Sequence, residues 1–352
     1  MALFFNHQTQ GGAPIEMSAP CRIDMGGTID MAVFHYLIGV PDPLTFNIAL
    51  NLKTRVRVSP NPGGRVRVIS KGFDSAEFPL SEAPFDHPLG LMFAMAGYFD
   101  AEGVSIDIES ASPPRSALGG SSVAAVALAG AFLKLKEPEI ALDDLKERAA
   151  RIAFQVEMSI AGGPCGIQDH LAAAYGGVHA WYFRKDPWGV SFDQVAVAGR
   201  DIYGEIEKRL LIAYCGEPHE SLNVNSRWVR QFLSGAGRNQ WREIVSLTQA
   251  FVSALKKGDF KPLYPLMNRE TEIRRRMTPD VLDEIGARLV DSAQGLSCGV
   301  RFTGAGGGGC VWALCESEER LRLKERWEVI LRDRKSASLL DAAIDPDGLT
   351  EG

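Results

Sequence analysis

Apolar and polar residues alternate strictly in two short segments, 55–58 (RVRV) and 65–68 (RVRV). Successive side chains of a strand point to opposite faces, so both segments predict half-buried strands. The turn-forming SPNPGG between them predicts that the two pair as a β-hairpin. An apolar, helix-like stretch covers residues 89–99, and 104–109 (VSIDIE) alternates again. Directly after it come SPPRSALGGSS and an apolar, Ala-rich run over 123–135, which reads as strand, glycine-containing loop, helix. Leu142, Leu145, Ala149, Ile152 and Val156 lie near helical spacing and predict a second helix from 142 to about 159. The loop AGGPCGIQDH follows it.

Residues 185–204 mix Pro, Gly and charges, and this shift in composition divides the chain into two expected domains, 13–195 and 205–352. The second opens with a strand at 210–214, continues with helical patterns at 225–233, 240–257 and 279–294, and then has strands at 300–302 and 310–314 around a run of glycines. A charged amphipathic helix at 316–332 closes the pattern. Strands and helices mix without the regular alternation of a Rossmann sheet, so the predicted fold class is α+β.

A chain of 352 residues, 45% hydrophobic and 23% charged, suits two domains that bury a core without disulfides or metals. The net charge of −6 argues against a general nucleic-acid binder, whose affinity rests on neutralising phosphates. Arg274, Arg275 and Arg276 stand in a helical pattern beside Glu270 and Glu272, as on a solvated helix face. Cysteines at 21, 165, 215, 298, 310 and 315 form no CxxC pair, and Cys310 and Cys315 read as buried thiols of a reducing compartment. The opening residues lack the basic and apolar regions of a signal peptide, and no window approaches 18 uninterrupted apolar residues. The expected location is the cytoplasm, with no membrane or nucleic-acid partner.

Four segments carry residue types that chemistry can use. SPPRSALGGSS at 112–122 is a small-residue loop at a helix start, where backbone N–H groups can approach phosphate oxygens and the helix dipole favours negative charge. Ser121 and Ser122 stand where Mg²⁺ bound to phosphates could be met. An ordinary helix cap uses the same residues, and the Walker A pattern GxxxxGK[ST] is absent. TGAGGGGC at 303–310 holds five glycines in six positions, a run tolerated where backbone must approach something closely, or in a tight turn. GGPCGIQDH at 162–170 presents Asp169, suited to a general base or to capping the turn, and Glu157 upstream is a second carboxylate for Mg²⁺. APCRIDMGGTID at 19–30 sets Arg22, Asp24 and Asp30 around a glycine pair, either to hold hydroxyls or to fix the turn.

Together these segments resemble the GHMP kinases. PPRSALGGSS resembles the family's phosphate loop, PPxxGLGSS, and TGAGGGGC matches its C-terminal glycine motif without a gap. APCRIDMGGTID resembles the N-terminal motif in the GG-x-x-D form of fucokinase- and heptose-phosphate-kinase-like members, and GGPCGIQDH is close to the galactokinase loop that carries the catalytic Asp. The motifs run from residue 19 to 310 in family order. Ala117 stands where the loop usually has Gly, and Gly120 where it usually has the first Ser. Counted from Leu118-Gly119, the Mg²⁺-ligating serine falls on Ser121, or on Ser122 if the loop shifts. Gly26-Gly27 occupies the region of galactokinase's Glu-His pair, which argues against galactose itself.

The resemblance implies a two-domain fold, an N-terminal unit with a left-handed βαβ crossover and a C-terminal ferredoxin-like unit, with ATP and acceptor in the cleft between them. It implies transfer of the γ-phosphate of ATP to a hydroxyl of a sugar or sugar phosphate, by analogy the anomeric one. Pro114, Arg115, Ser116, Ala117, Leu118, Gly119, Gly120, Ser121 and Ser122 would cradle the phosphates, with Gly304, Ala305, Gly306 and Gly307 shaping the site from the other domain. Ser121 and Glu157 would hold Mg²⁺, Asp169 would take the acceptor proton, and Arg22 would keep Asp169 ionised. Asp24, Gly27, Thr28, Asp30 and His219 fall to the acceptor. A monomer or homodimer acting on a small molecule is expected. The alternatives are a family kinase for a non-sugar alcohol such as mevalonate or homoserine, and a non-catalytic sensor of ATP and sugar.

Overall fold

A computed structural model describes residues 13–217 and 221–352, with side chains from 224 onward in the second stretch. In chain order the strands are β1 (Ile15–Met25), β2 (Leu44–Pro60), β3 (Val66–Ser70), β4 (Ala76–Phe78), β5 (Val104–Ser110), β6 (Val178–Arg184), β7 (Ser191–Ala196), β8 (Leu210–Tyr214), β9 (Cys298–Phe302), β10 (Cys310–Cys315), β11 (Ser338–Leu340) and β12 (Thr350–Glu351). The helices of the first half are α1 (Ala32–Leu37), α2 (Gly90–Tyr98), α3 (Gly120–Lys136), α4 (Leu142–Ile160) and α5 (Gln168–Tyr175). Those that follow are α6 (Arg200–Glu207), α7 (Ser221–Leu233), α8 (Arg238–Lys256), α9 (Leu263–Met277), α10 (Glu284–Ser292) and α11 (Ser317–Leu331).

An eight-stranded sheet runs β12-β1-β2-β5-β3-β4, with β6 and β7 attached through β2. β2 is long enough to serve two neighbours: residues 44–48 pair with β6 and 54–60 with β5. The expected hairpin is corrected here, because β5 lies between β2 and β3. Val56 faces Ile108 in antiparallel pairing, and Val68 faces Ile106 in parallel pairing. The alternating strand 104–110 thereby buries the apolar face of both neighbours, and α2 supplies the crossover that a parallel pair requires.

The second sheet has the order β11-β8-β10-β9, all antiparallel. Helices separate β8 from β9, and α11 separates β10 from β11, which is the split βαβ connection of ferredoxin-like units. β8, β9 and β10 are buried at every position, in keeping with their largely apolar sequences. β12 crosses back from this half to pair with β1 of the first sheet.

α3 is buried at every residue from 122 to 133, as its all-round apolar sequence requires, and packs on β1, β2, α4 and α5. The helix expected over 279–294 is broken: Asp283 is extended and its side chain caps α10 by accepting from the Gly286 N–H. The solvated face expected for the arginines of α9 is corrected for one of them. Arg275 and Arg276 lie outward beside Asp291 and Glu272, but Arg274 and Glu270 are fully buried.

Candidate active site

The four motif segments meet at one cavity of about 740 Å³. From β1, the buried Arg22 donates through Nε to Asp169 Oδ1 at 2.8 Å, with Nη2 at 2.7 Å from the same oxygen. Its Nη1 donates to the Ala117 carbonyl at 2.7 Å, and its backbone N–H to Leu118 O at 3.2 Å. One guanidinium therefore fixes both the carboxylate and the loop before α3. Residues 19–25 are strand rather than turn, and Asp169 lies in the first turn of α5 rather than in a loop. Burial raises the pKa of Asp169 and Arg22 opposes it; with Asp24 adding to the rise, the carboxyl stays above its ordinary value.

The loop before α3 is held in an unusual backbone shape. Arg115 and Ala117 have φ of 52° and 62°, and Gly119, the N-cap of α3, has 83°. The left-handed region costs a residue with a Cβ about 1–2 kcal/mol, which explains why glycine suits position 117 and why alanine there keeps a glycine's conformation. The glycine run of 304–309 packs backbone to backbone against this loop. A Cβ on Gly309 would lie 2.6 Å from Ser116 O and 2.7 Å from the Ala117 methyl. On Gly119 it would lie 3.1 Å from Asp169 Oδ2, so that glycine lets the loop reach the carboxylate.

Glu157 of α4 accepts from Ser121 Oγ at 3.2 Å and Ser122 Oγ at 2.7 Å, and His170 Nε2 is 2.8 Å away. Burial pushes this carboxyl up, but His170 and the two hydroxyls outweigh it, leaving the pKa below the ordinary value. An ionised carboxylate beside an exposed hydroxyl is a hard-oxygen donor set that fits Mg²⁺. Asp30 Oδ2 accepts from the Gln168 N–H at 2.9 Å, while its buried Oδ1 has no protein partner. Burial pushes the Asp30 carboxyl up to about 6. Gly166 leaves room for it, since a Cβ there would lie 1.9 Å from Oδ2.

Arg22, Thr28, Asp30, Glu157, Asp169, residues 114–117 and 119–122, Gly304 and Ala305 all line the cavity. Leu118 is buried and contributes its carbonyl to Arg22. Gly306 and Gly307 lie against Val281, to whose carbonyl Gly307 N–H donates at 2.7 Å. Asp24 is fully buried, its Oδ1 accepting from Gly304 N–H at 2.6 Å, and Gly27 makes room for it, a Cβ there falling 2.3 Å from Oδ2. His219 lies outside the described residues.

Sequence reasoning missed Gln168, Glu270, Arg274 and Arg301, and left His170 without a partner. Arg301 donates to Glu270 Oε2 at 2.8 Å and stands 3.1 Å from Asp24 Oδ2. The signal was an arginine in the apolar strand CGVRF directly before the glycine run, a place where a charge must find a buried partner.

The mixed α+β fold is that of known GHMP kinase structures, and the chain's homologues are phosphotransferases that act on alcohol groups. The family models for "GHMP kinases N terminal domain" and "GHMP kinases C terminal" match residues 89–177 and 251–328, so both domains of that family are recognised in the chain. GHMP kinases use ATP. The chain is 24% identical over 237 residues to the bifunctional fucokinase/GDP-fucose pyrophosphorylase of Arabidopsis thaliana, across 66% of this chain and 22% of that one. It thus spans about a fifth of that relative's length. It is 25% identical to the mevalonate kinase of Thermococcus sibiricus, across 77% of this chain and 82% of that one. A solved D-glycero-D-manno-heptose 1-phosphate kinase from Bacteroides thetaiotaomicron shares the fold at 17% identity and a TM-score of 0.72, covering 96% of this chain and 98% of that one.

Among the described residues, no helix is long and apolar enough to cross a membrane.

Proposed function

We propose that the protein transfers the γ-phosphoryl group of ATP to a hydroxyl of a sugar or sugar phosphate, by analogy the anomeric one. The observation that carries this is Asp169, a half-buried carboxylate clamped by Arg22 beside the backbone of Gly119. The cavity lining holds two kinds of residue. Phe73, Pro88, Leu89, Met92 and Ile108 are apolar and suit a nucleotide base. Thr28, Asp30, Gln168, Asp169 and Asn225 are polar and suit an acceptor. The phosphate loop lies at the start of α3, where N–H groups and the helix dipole favour the nucleotide's phosphates.

Phosphoryl transfer asks the protein mainly for positioning and charge stabilisation. Asp169 takes the acceptor's proton, and Arg22 orients it and offsets charge that develops near the loop. The unpartnered Asp30 Oδ1 accepts an acceptor hydroxyl. Ser121 and Glu157 would hold Mg²⁺, which would supply charge neutralisation on the phosphates. Two carboxylates in the lining, Asp30 and Asp169, suit the hydroxyls of a sugar better than the carboxylate of a mevalonate-type acceptor. Residues 13–195 and 205–352 are proposed as the two domains, each built around one sheet, with β12 returning to the first. Incubating the protein with Mg·ATP and a panel of free sugars, sugar phosphates, mevalonate and homoserine, and following ADP release, tests the reading. Release with sugars is expected; release with mevalonate or homoserine alone would refute the sugar assignment, and no release would favour the sensor.

A further inference from the structure

Five buried or half-buried charges alternate in sign along one line that joins the two sheets. Glu270 of α9 accepts from Arg301 of β9 at 2.8 Å, Arg301 lies 3.1 Å from Asp24 of β1, Asp24 lies 3.6 Å from Arg22, and Arg22 lies 2.7 Å from Asp169. Arg274 branches from Glu270 at 2.9 Å, donates to Gly27 O at 2.7 Å, and lies within 5 Å of the Trp228 and Trp241 ring centres, at 4.7 and 4.6 Å. With three arginines and three carboxylates, the group is neutral as a whole. Glu270, Arg274, Arg301 and Asp24 have no exposed surface.

Such a network is weak evidence of stabilisation, because apolar replacements of the whole set are often neutral or better. Removal of one member, by contrast, strands a buried charge. The contacts of Asp24 give the network a different role. Its carboxylate is shared by Arg301, by the Gly304 N–H at 2.6 Å and, more distantly, by Arg22. Arg22 Nη1 stands between Asp24 and the Ala117 carbonyl and is closer to the carbonyl, 2.7 Å against 3.6 Å. Without Arg301, Asp24 would lack a full counter-charge, and the nearest cation able to supply it is Arg22. A shift of that guanidinium toward Asp24 would draw it off both the phosphate loop and Asp169.

We propose that Arg301 and Glu270 are positioning residues for phosphoryl transfer, holding Arg22 against Asp169 and the phosphate loop by satisfying Asp24 from behind. The proposal rests on reading Arg22 and Asp169 as the transfer site. Glu270 anchors Arg301, and Arg301 leaves Asp24 with no unmet charge to draw Arg22 away. The same carboxylate holds the first residue of the glycine run, so one buried group sets two walls of the cavity.

The test is Arg301→Met, assayed on whichever acceptor the wild type phosphorylates, with kcat, both KM values, ATP affinity without turnover, and the thermal midpoint. A misplacement of about 1 Å can cost about 10²-fold, so kcat should fall on that order while ATP affinity and acceptor KM change little. Asp24→Asn combined with Arg301→Met removes the stranded charge and should recover most of the lost kcat, a rescue that a merely structural role would not produce. A lower midpoint with wild-type kcat in the folded fraction, or a double variant no better than the single one, overturns the proposal. Should Arg301→Met not fold, Glu270→Gln keeps the volume and loosens the anchor; a fall in kcat supports the proposal and an unchanged kcat overturns it. A crystal structure of whichever variant folds needs no turnover. Arg22 displaced toward Asp24 supports the proposal, and Arg22 unmoved refutes it even if the wild type phosphorylates nothing and the kinase reading itself fails.

Discussion

Asp169 answers two opposed demands, since burial favours its neutral form and Arg22 its charged one. Asp169→Asn keeps the shape and removes the proposed proton acceptor, so kcat should fall by about 10²–10⁴-fold with ATP affinity nearly unchanged, as measured by steady-state kinetics and calorimetry. Arg22 lowers the pKa of Asp169, so Arg22→Met should move the acid limb of the kcat profile to higher pH. Asp30 makes a prediction about stability. Its folded pKa of about 6 lies above the ordinary 3.8, so the stability it contributes is present below 3.8 and lost as pH rises through 6. Asp30→Asn should therefore raise the thermal midpoint at pH 7.5, with the gain shrinking toward pH 4, while acceptor KM rises; a gain equal at both pH values would contradict the assignment. The two serines differ in setting: Ser121 is exposed beside Glu157, whereas Ser122 is buried with the shorter bond to it. Ser121→Ala should raise the Mg²⁺ concentration needed for half-maximal rate more than Ser122→Ala does, and the reverse order in a Mg²⁺ titration would move the metal ligand to Ser122.

At the scale of elements, the glycine run matters through what it touches. Gly309→Ala would press a methyl into the Ser116 carbonyl at a left-handed φ of 85° and displace the phosphate loop. Gly258, at φ 68° with nothing within 4 Å of its would-be Cβ, is a matched control that adds backbone strain alone. Gly309→Ala should weaken ATP binding and lower the midpoint; Gly258→Ala should do only the latter, by about 1 kcal/mol. Equal ATP affinity in both would separate the glycine run from the phosphate site. Elements set by local pattern were legible in the sequence: β8 starts and ends at the expected residues, and α4 and α11 differ from expectation by about one residue. The hairpin was misread because the true partner of 54–60 lies at 104–110, and adjacency in sequence carries no information about an inserted strand. The loop motifs of the site were legible because small residues in a row have few other uses. Its buried support was not, because Glu270 and Arg274 at i, i+4 look the same whether they face water or Trp228 and Trp241.

At the scale of the molecule, the two sheets are joined by more than one strand of chain. The path leaves the first sheet after β7, and after β11 it returns. Near that return, Asn51 N–H donates to Ala343 O at 2.9 Å, Lys53 meets Asp345 at 3.0 Å, and Leu349 is fully buried beside α3. Together with the buried charges, these contacts should make the molecule unfold as one unit, with calorimetric and van't Hoff enthalpies in agreement. Two resolved transitions in scanning calorimetry would mean that the sheets melt separately.

The double crossing also has a mechanical meaning. A single tether leaves two bodies free to swing and twist, whereas two tethers leave one easy rotation, about the line through both. Any opening of the cavity would then swing like a door on two hinges, along a path set by the covalent chain before any ligand arrives.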